Sequence, residues 1–141
     1  MRDQYRVLEP IAVRWADMDS FGHVNNAKYF TYCESARMTW FAEIDLDAFK
    51  DAETHGPALV SASCDFLKQV HHPADLEVGV RVVEVGRKSF THEYMIFSQG
   101  SDELVAKGTG VIVWVDYAVG KAIPLPEALK ARMRDFDGLS E

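Results

Sequence analysis

Asn26-Ala-Lys-Tyr-Phe-Thr-Tyr-Cys-Glu-Ser-Ala-Arg-Met-Thr-Trp-Phe-Ala-Glu43 places apolar side chains at Tyr29, Cys33, Ala36 and Trp40, with Phe30, Arg37 and Phe41 one position along. Steps of three and four put these residues on one broad stripe of a helix. Asn25 and Asn26 stand at its start, and an asparagine side-chain oxygen can accept from the free amides of a first turn. The spacing therefore predicts a helix from Asn26 to Glu43 that something must cover.

The flanking sequence supplies the cover. Upstream, Val7 to Ala16 reads as a strand, with Ile11, Val13 and Trp15 on one face and Ala12 and Arg14 on the other. Downstream of a polar connector, Asp45 to Pro57, the pattern changes to a period of two. Ala58, Val60, Ala62, Cys64 and Phe66 alternate with Ser61, Ser63 and Asp65, and Leu76, Val78, Val80 and Val82 with Glu77, Gly79 and Arg81. Phe90 to Phe97 and Leu104 to Val115 complete four strands, and Pro126 opens a short last helix, Glu127 to Asp135. The connections at His71-His72-Pro73, Val85-Gly86-Arg87-Lys88 and Gln99-Gly100-Ser101-Asp102 are compatible with an antiparallel meander. The expected fold is α+β: an antiparallel five-stranded sheet wrapped around a long central helix, as one domain over residues 1–141. One sheet face and at least one edge are left over, and pairing with a second copy is the simplest remedy for an open edge.

Composition narrows the function. A formal charge of -7 over 141 residues argues against general affinity for nucleic acid or anionic membrane, which depends on a large positive surface. The longest apolar run, Val111 to Val115, is far short of the roughly 20 residues that span a bilayer. Met1-Arg-Asp-Gln-Tyr5 carries no apolar signal region. Cys33 and Cys64 form neither a Cys-x-x-Cys pair nor a disulfide framework, so buried free thiols and a cytoplasmic location are expected.

Between strand and helix lies Asp17-Met-Asp-Ser-Phe-Gly22. A calcium loop is excluded because its fifth and twelfth positions fall on Phe21 and Lys28, where an oxygen ligand and then a bidentate glutamate are needed. His23 is isolated in sequence and His71-His72 lies in a turn without nearby thiolates, so no zinc site is read. What remains is a pair of carboxylates before a helix N-terminus, where free amides and the positive end of the dipole favour developing negative charge. Such an arrangement suits an oxyanion site beside a carboxylate that works as nucleophile or general base. The same residue types also shape tight turns and cap helices.

The stretch Val13-Arg-Trp-Ala-Asp-Met-Asp-Ser-Phe-Gly-His-Val-Asn-Asn-Ala-Lys-Tyr29 resembles the signature of the 4-hydroxybenzoyl-CoA thioesterase family, which has the hotdog fold. The element order fits that fold along essentially the whole chain. The resemblance implies an acyl-CoA thioesterase needing no metal or redox cofactor, paired as a homodimer or homotetramer. By the same resemblance Asp19 is the reacting carboxylate, Asp17 a supporting residue and Asn26 the donor of a backbone amide, within a site that includes Gly22, Val24, Asn25 and Tyr29. After Gly22, His23-Val-Asn-Asn26 instead resembles plant acyl-carrier-protein thioesterases and bacterial long-chain acyl-CoA thioesterases. This shifts the implied substrate away from aromatic acyl groups and makes His23 a third catalytic candidate. Gly86-Arg-Lys-Ser-Phe90 resembles a segment contacting the CoA nucleotide, so Arg87, Lys88 and Ser89 are the CoA-binding candidates, with Ser61 and Ser63 in the strand expected beside the site. The alternatives are an acyl-carrier-protein thioesterase and a non-catalytic acyl-CoA-binding module.

Overall fold

A computed structural model describes residues 1–140. Strand β1 is Val7–Ala12, helix α1 is Asn26–Glu43, strands β2 to β5 are His55–Phe66, Asp75–Val85, Ser89–Ser98 and Leu104–Asp116, β6 is Lys121–Ala122 and helix α2 is Glu127–Asp137. The sheet runs β1-β3-β4-β5-β2, antiparallel throughout, with the two-residue β6 paired to β5. The five long strands wrap α1 as the periodicities predict. The helix begins and ends where the apolar stripe does, with Asn25 as its cap.

Three expectations need correction. The first strand stops at Ala12, and Trp15–Asp17 forms a 3-10 turn instead. The cause is Asp17, whose carboxylate accepts from the Arg14 backbone amide at 3.0 Å and folds the chain back on itself. Only β3, β4 and β5 form a meander, because β2 pairs with β5 rather than with β3. The segment holding His71-His72-Pro73 is therefore a crossover between distant strands and not a hairpin. Finally, Phe30, placed in the buried stripe, is 39% exposed.

Register shows which residues face α1. Ile112, Gly110, Gly108 and Ala106 of β5 stand opposite Phe90, His92, Tyr94 and Ile96 of β4, and opposite Leu59, Ala62, Cys64 and Phe66 of β2. These face inward, since Phe90, Ile96, Ala106 and Ile112 are buried in the core with Trp40 and Ala36. Trp40 is fully buried against Phe90, His92 and Phe136. At about 25 cal/mol per Å² and roughly 200 Å² of ring surface, its burial contributes at most about 5 kcal/mol. Cys33 is buried and Cys64 half-buried, and burial pushes their thiols up to about 12 and about 11. Both stay protonated at neutral pH and are weak nucleophiles.

The β2 side is left open. Leu59 and Val60 are 44% and 60% exposed, and Phe66 and Leu67 45% and 49%. No helix among the described residues is long and apolar enough to cross a membrane.

Candidate active site

The turn before α1 is tightly fastened. Met18 bridges Val24, the Asp19 amide donates to the His23 carbonyl at 2.8 Å, and the Gly22 amide donates to the Asp19 carbonyl at 3.1 Å. Gly22 has φ +81°, a left-handed conformation that a side chain disfavours. The Val24 amide donates to the Val70 carbonyl at 2.9 Å, pinning the turn to the crossover. From that crossover His71 packs against His23 at a tilt, with 4.7 Å between ring centroids, and its Nδ1 lies 3.0 Å from the Gly22 carbonyl.

Asp17 and Asp19 have different environments. Asp17 is 2% exposed, and its carboxylate accepts from Arg14 Nε and Nη2 at 3.1 and 2.9 Å and from the Tyr32 hydroxyl at 2.7 Å. Burial alone raises its pKa, but these donors outweigh that effect and hold the carboxyl below the usual range. Its oxygens are spent on structure. Asp19 is half-buried; one carboxylate oxygen accepts from the Phe21 amide at 2.9 Å, and the other has no partner among the described residues.

The start of α1 carries the complementary donor. Asn25 Oδ1 accepts from the Ala27 amide and the Asn25 carbonyl from the Lys28 amide, both at 2.9 Å. The Asn25 amide itself donates to the Asp17 carbonyl at 2.9 Å. Between these capped groups the Asn26 N–H has no acceptor among the described residues, and it stands at the positive end of an 18-residue helix.

A cavity of about 680 Å³ joins the two. Asp19, His23 and Asn26 line it beside Val24 and Tyr29, with Phe21 over the turn and Phe66 to Gln69 closing the far wall. Tyr29 is 3% exposed and meets Phe66 edge to face, with 5.1 Å between ring centroids. A carbonyl whose oxygen met the Asn26 N–H would lie in a cavity that Asp19 also lines. This arrangement can stabilise an oxyanion while a carboxylate attacks or activates water.

The other predicted residues are placed elsewhere. Asn25 caps the helix and Asp17 braces the turn, so neither lines the cavity. Ser61 and Ser63 lie opposite Val111 and Thr109, on the outer face, and Ser63 is hydrogen-bonded to the Thr109 hydroxyl at 2.7 Å. Pleating decides this, because Ala62, Cys64 and Phe66 take the inward positions. Arg87, Lys88 and Ser89 lie beyond the far end of β3, roughly 30 Å along the strand from the end beside the Asp19 turn. Within one protomer they do not reach the cavity.

Sequence reasoning missed His71, Lys68 and Gln69. Lys68 lines the cavity and pairs with Glu103 at 3.0 Å. Their signal was weak: they follow the last alternating residue of β2, and only the crossover brings them to α1.

The chain matches the model of the thioesterase-like superfamily over residues 13–133. It is similar to a thioesterase from Thermus thermophilus, solved with coenzyme A and zinc, at 35% identity and a TM-score of 0.82, covering 96% of this chain and 98% of that one. The PA5185 protein from Pseudomonas aeruginosa PAO1 gives 31% identity and a TM-score of 0.82, over 96% and 94% of the two chains. The chloroplastic acyl-acyl carrier protein thioesterase ATL3 of Arabidopsis thaliana is 23% identical over 127 residues, 89% of this chain and 66% of that one.

Proposed function

The chain belongs to the thioesterase-like superfamily and is a thioester hydrolase of hotdog fold, and from that premise we propose that it cleaves acyl-CoA thioesters with Asp19 as the reacting carboxylate. The observation that carries this reading is that Asn26, whose N–H is uncommitted, and Asp19, which keeps one uncommitted carboxylate oxygen, line one cavity. The thioester oxygen accepts from the Asn26 N–H. Asp19 either attacks the carbonyl carbon to form an acyl-anhydride that water then cleaves, or draws a proton from the attacking water. Both routes release the thiol and the free acid. His23, held by the His71 ring, orients water or substrate. Support for CoA as the carrier comes from the coenzyme A bound to the Thermus relative and from a formal charge of -7, which suits a small carrier better than an acidic carrier protein.

The nucleotide requires a second copy in this reading. β2 is an edge strand, and two β2 edges related by a two-fold axis pair antiparallel. Its Phe66 end lies at the Asp19 cavity, and its Pro57 end lies toward the Gly86–Ser89 turn, since Pro57 pairs with Trp114 and Ser89 with Val113. Antiparallel pairing therefore turns one protomer's Arg87, Lys88 and Ser89 toward its partner's cavity, where two cations meet phosphates.

The likeness to the Arabidopsis enzyme favours a second reading, an acyl carrier protein as donor. Thiol release from matched acyl-CoA and acyl-carrier-protein substrates separates the two. Asp19→Asn should lower kcat by about 10²- to 10⁴-fold while melting with the parent; equal rates would remove Asp19 from the mechanism. Binding without thiol release across short, long and aromatic acyl groups would leave a binding module. Replacing Arg87 and Lys88 by alanine should raise KM more than it lowers kcat. Mixing that variant with Asp19→Asn should restore activity, because the heterodimer regains one intact composite site.

A further inference from the structure

A second cavity, about 540 Å³, opens beside the C-terminal half of α1, and its walls are mainly Met38, Phe41, Leu46, Pro57, Leu59 and Ile112. Arg37 lines it too, about 16 Å along the helix axis from Asn26. The Arg37 side chain is 9% exposed, so its charge has lost most of its water. Its guanidinium donates one hydrogen bond, from Nη1 to the neutral Tyr94 hydroxyl at 3.0 Å. Its one ion pair among the described residues is long, 4.0 Å from Nη2 to Glu34, a side chain 65% exposed. Asp45 and Asp47 line the outer part of the cavity, but Asp47 pairs with Lys50 at 2.9 Å and no ion pair joins either to Arg37 among the described residues. Buried charges are ordinarily paired, since an uncompensated one carries a desolvation cost.

The surroundings fix the guanidinium in place. Tyr94 accepts from Arg37, and its hydroxyl is hydrogen-bonded to His92 Nδ1 at 3.1 Å. His92 is fully buried among Trp40, Phe41 and Phe90 and cannot relieve the charge. Room for Tyr94 comes from Gly110, where a Cβ would stand 3.1 Å from the ring. The remaining donors of Arg37 are thus held ready beside an apolar hollow.

We infer that this cavity binds an apolar monocarboxylate, its chain against Phe41, Leu59 and Ile112 and its carboxylate on the Arg37 guanidinium. A planar carboxylate matches the donor fork, and the volume is that of a small-ligand pocket. Free acids of this class are what thioester hydrolysis releases, but the inference stands on Arg37 and not on the Asp19 chemistry.

The test is calorimetric titration of the protein with octanoate and with 1-octanol. Octanoate should bind at least about tenfold more tightly than the alcohol, and Arg37→Met should remove that preference. Leu59→Trp, which fills the mouth while keeping Arg37, Tyr94 and His92 themselves, should weaken octanoate by a similar factor and covers the case in which Arg37→Met fails to fold. Asp19→Asn should keep the preference. Equal affinity for acid and alcohol, a preference surviving both cavity variants, or one lost in Asp19→Asn alone would each overturn the proposal. So would the absence of binding with a change in oligomeric state in Leu59→Trp, which would make the hollow part of an interface between copies.

Discussion

Two carboxylates brace α1, Asp17 at its N-terminal end and Asp137 at its C-terminal end, and the protein holds them in opposite ways. Asp17 meets the Arg14 guanidinium and the Tyr32 hydroxyl. Asp137 accepts from Trp40 Nε1 at 2.9 Å and from the Val82 amide at 2.8 Å, and burial, the larger influence, pushes its pKa up. At the C-terminal end Asp137 takes up the Trp40 and Val82 donors, and α2 is tied to α1 and β3 there. At the N-terminal end Asp17 secures the turn, yet the Asn26 N–H and one Asp19 oxygen have no partner among the described residues. The contrast separates carboxylates that hold the fold from Asp19, the one proposed to react.

Trp40→Ala should cost about 3–5 kcal/mol in urea unfolding, since the ring is fully buried, whereas thiol release per folded molecule should change little. A loss of kcat without a loss of stability would mean that the two ends are not distinct. Asp17→Asn should cost about 1.5–3 kcal/mol, the worth of hydrogen bonds to a charged group. Its pH dependence sharpens the point. The folded pKa of Asp17 is lowered, so its contribution is present above the unfolded value of about 3.9 and is lost as pH falls through the folded one. Asp137 has the opposite sign: with its pKa raised, stability is lost as pH rises from the unfolded value through the folded one. Below about pH 5, Asp17→Asn should flatten the fall of stability with acid and Asp137→Asn should steepen it; slopes changing in the same direction would contradict this. The smallest effect belongs to His71→Ala, which removes the contact to the Gly22 carbonyl and should lower kcat/KM about two- to tenfold, the worth of one neutral hydrogen bond.

Much of this was legible in the sequence because local rules carried it. The cap at Asn25 and the stripe from Tyr29 to Trp40 fixed the limits of α1, and alternation located the strands. Asp19, His23 and Asn26 are near neighbours in the chain, so their meeting at one cavity follows from a short turn and a helix start. What was not legible depends on distant pairing. The β2–β5 ladder places β2 at the edge, turns Ser61 and Ser63 outward and brings Lys68 and His71 to the site. The bulge between Leu59 and Ser61 changes which face Leu59 and Val60 occupy, so perfect alternation misplaces Val60. Arg37 read as one more member of a stripe, and only the burial of its surroundings shows a cation whose one ion-pair partner among the described residues, Glu34, is long and exposed.

The most direct measurement follows the backbone amides of ¹⁵N-labelled protein during titration with a ketone analogue of an acyl-CoA thioester, in which methylene replaces sulfur. The Asn26 amide proton should move furthest downfield as it takes the carbonyl oxygen, with Phe21 and His23 shifting beside it. A silent Asn26 amide, with the changes gathered around other backbone donors, would contradict the central claim.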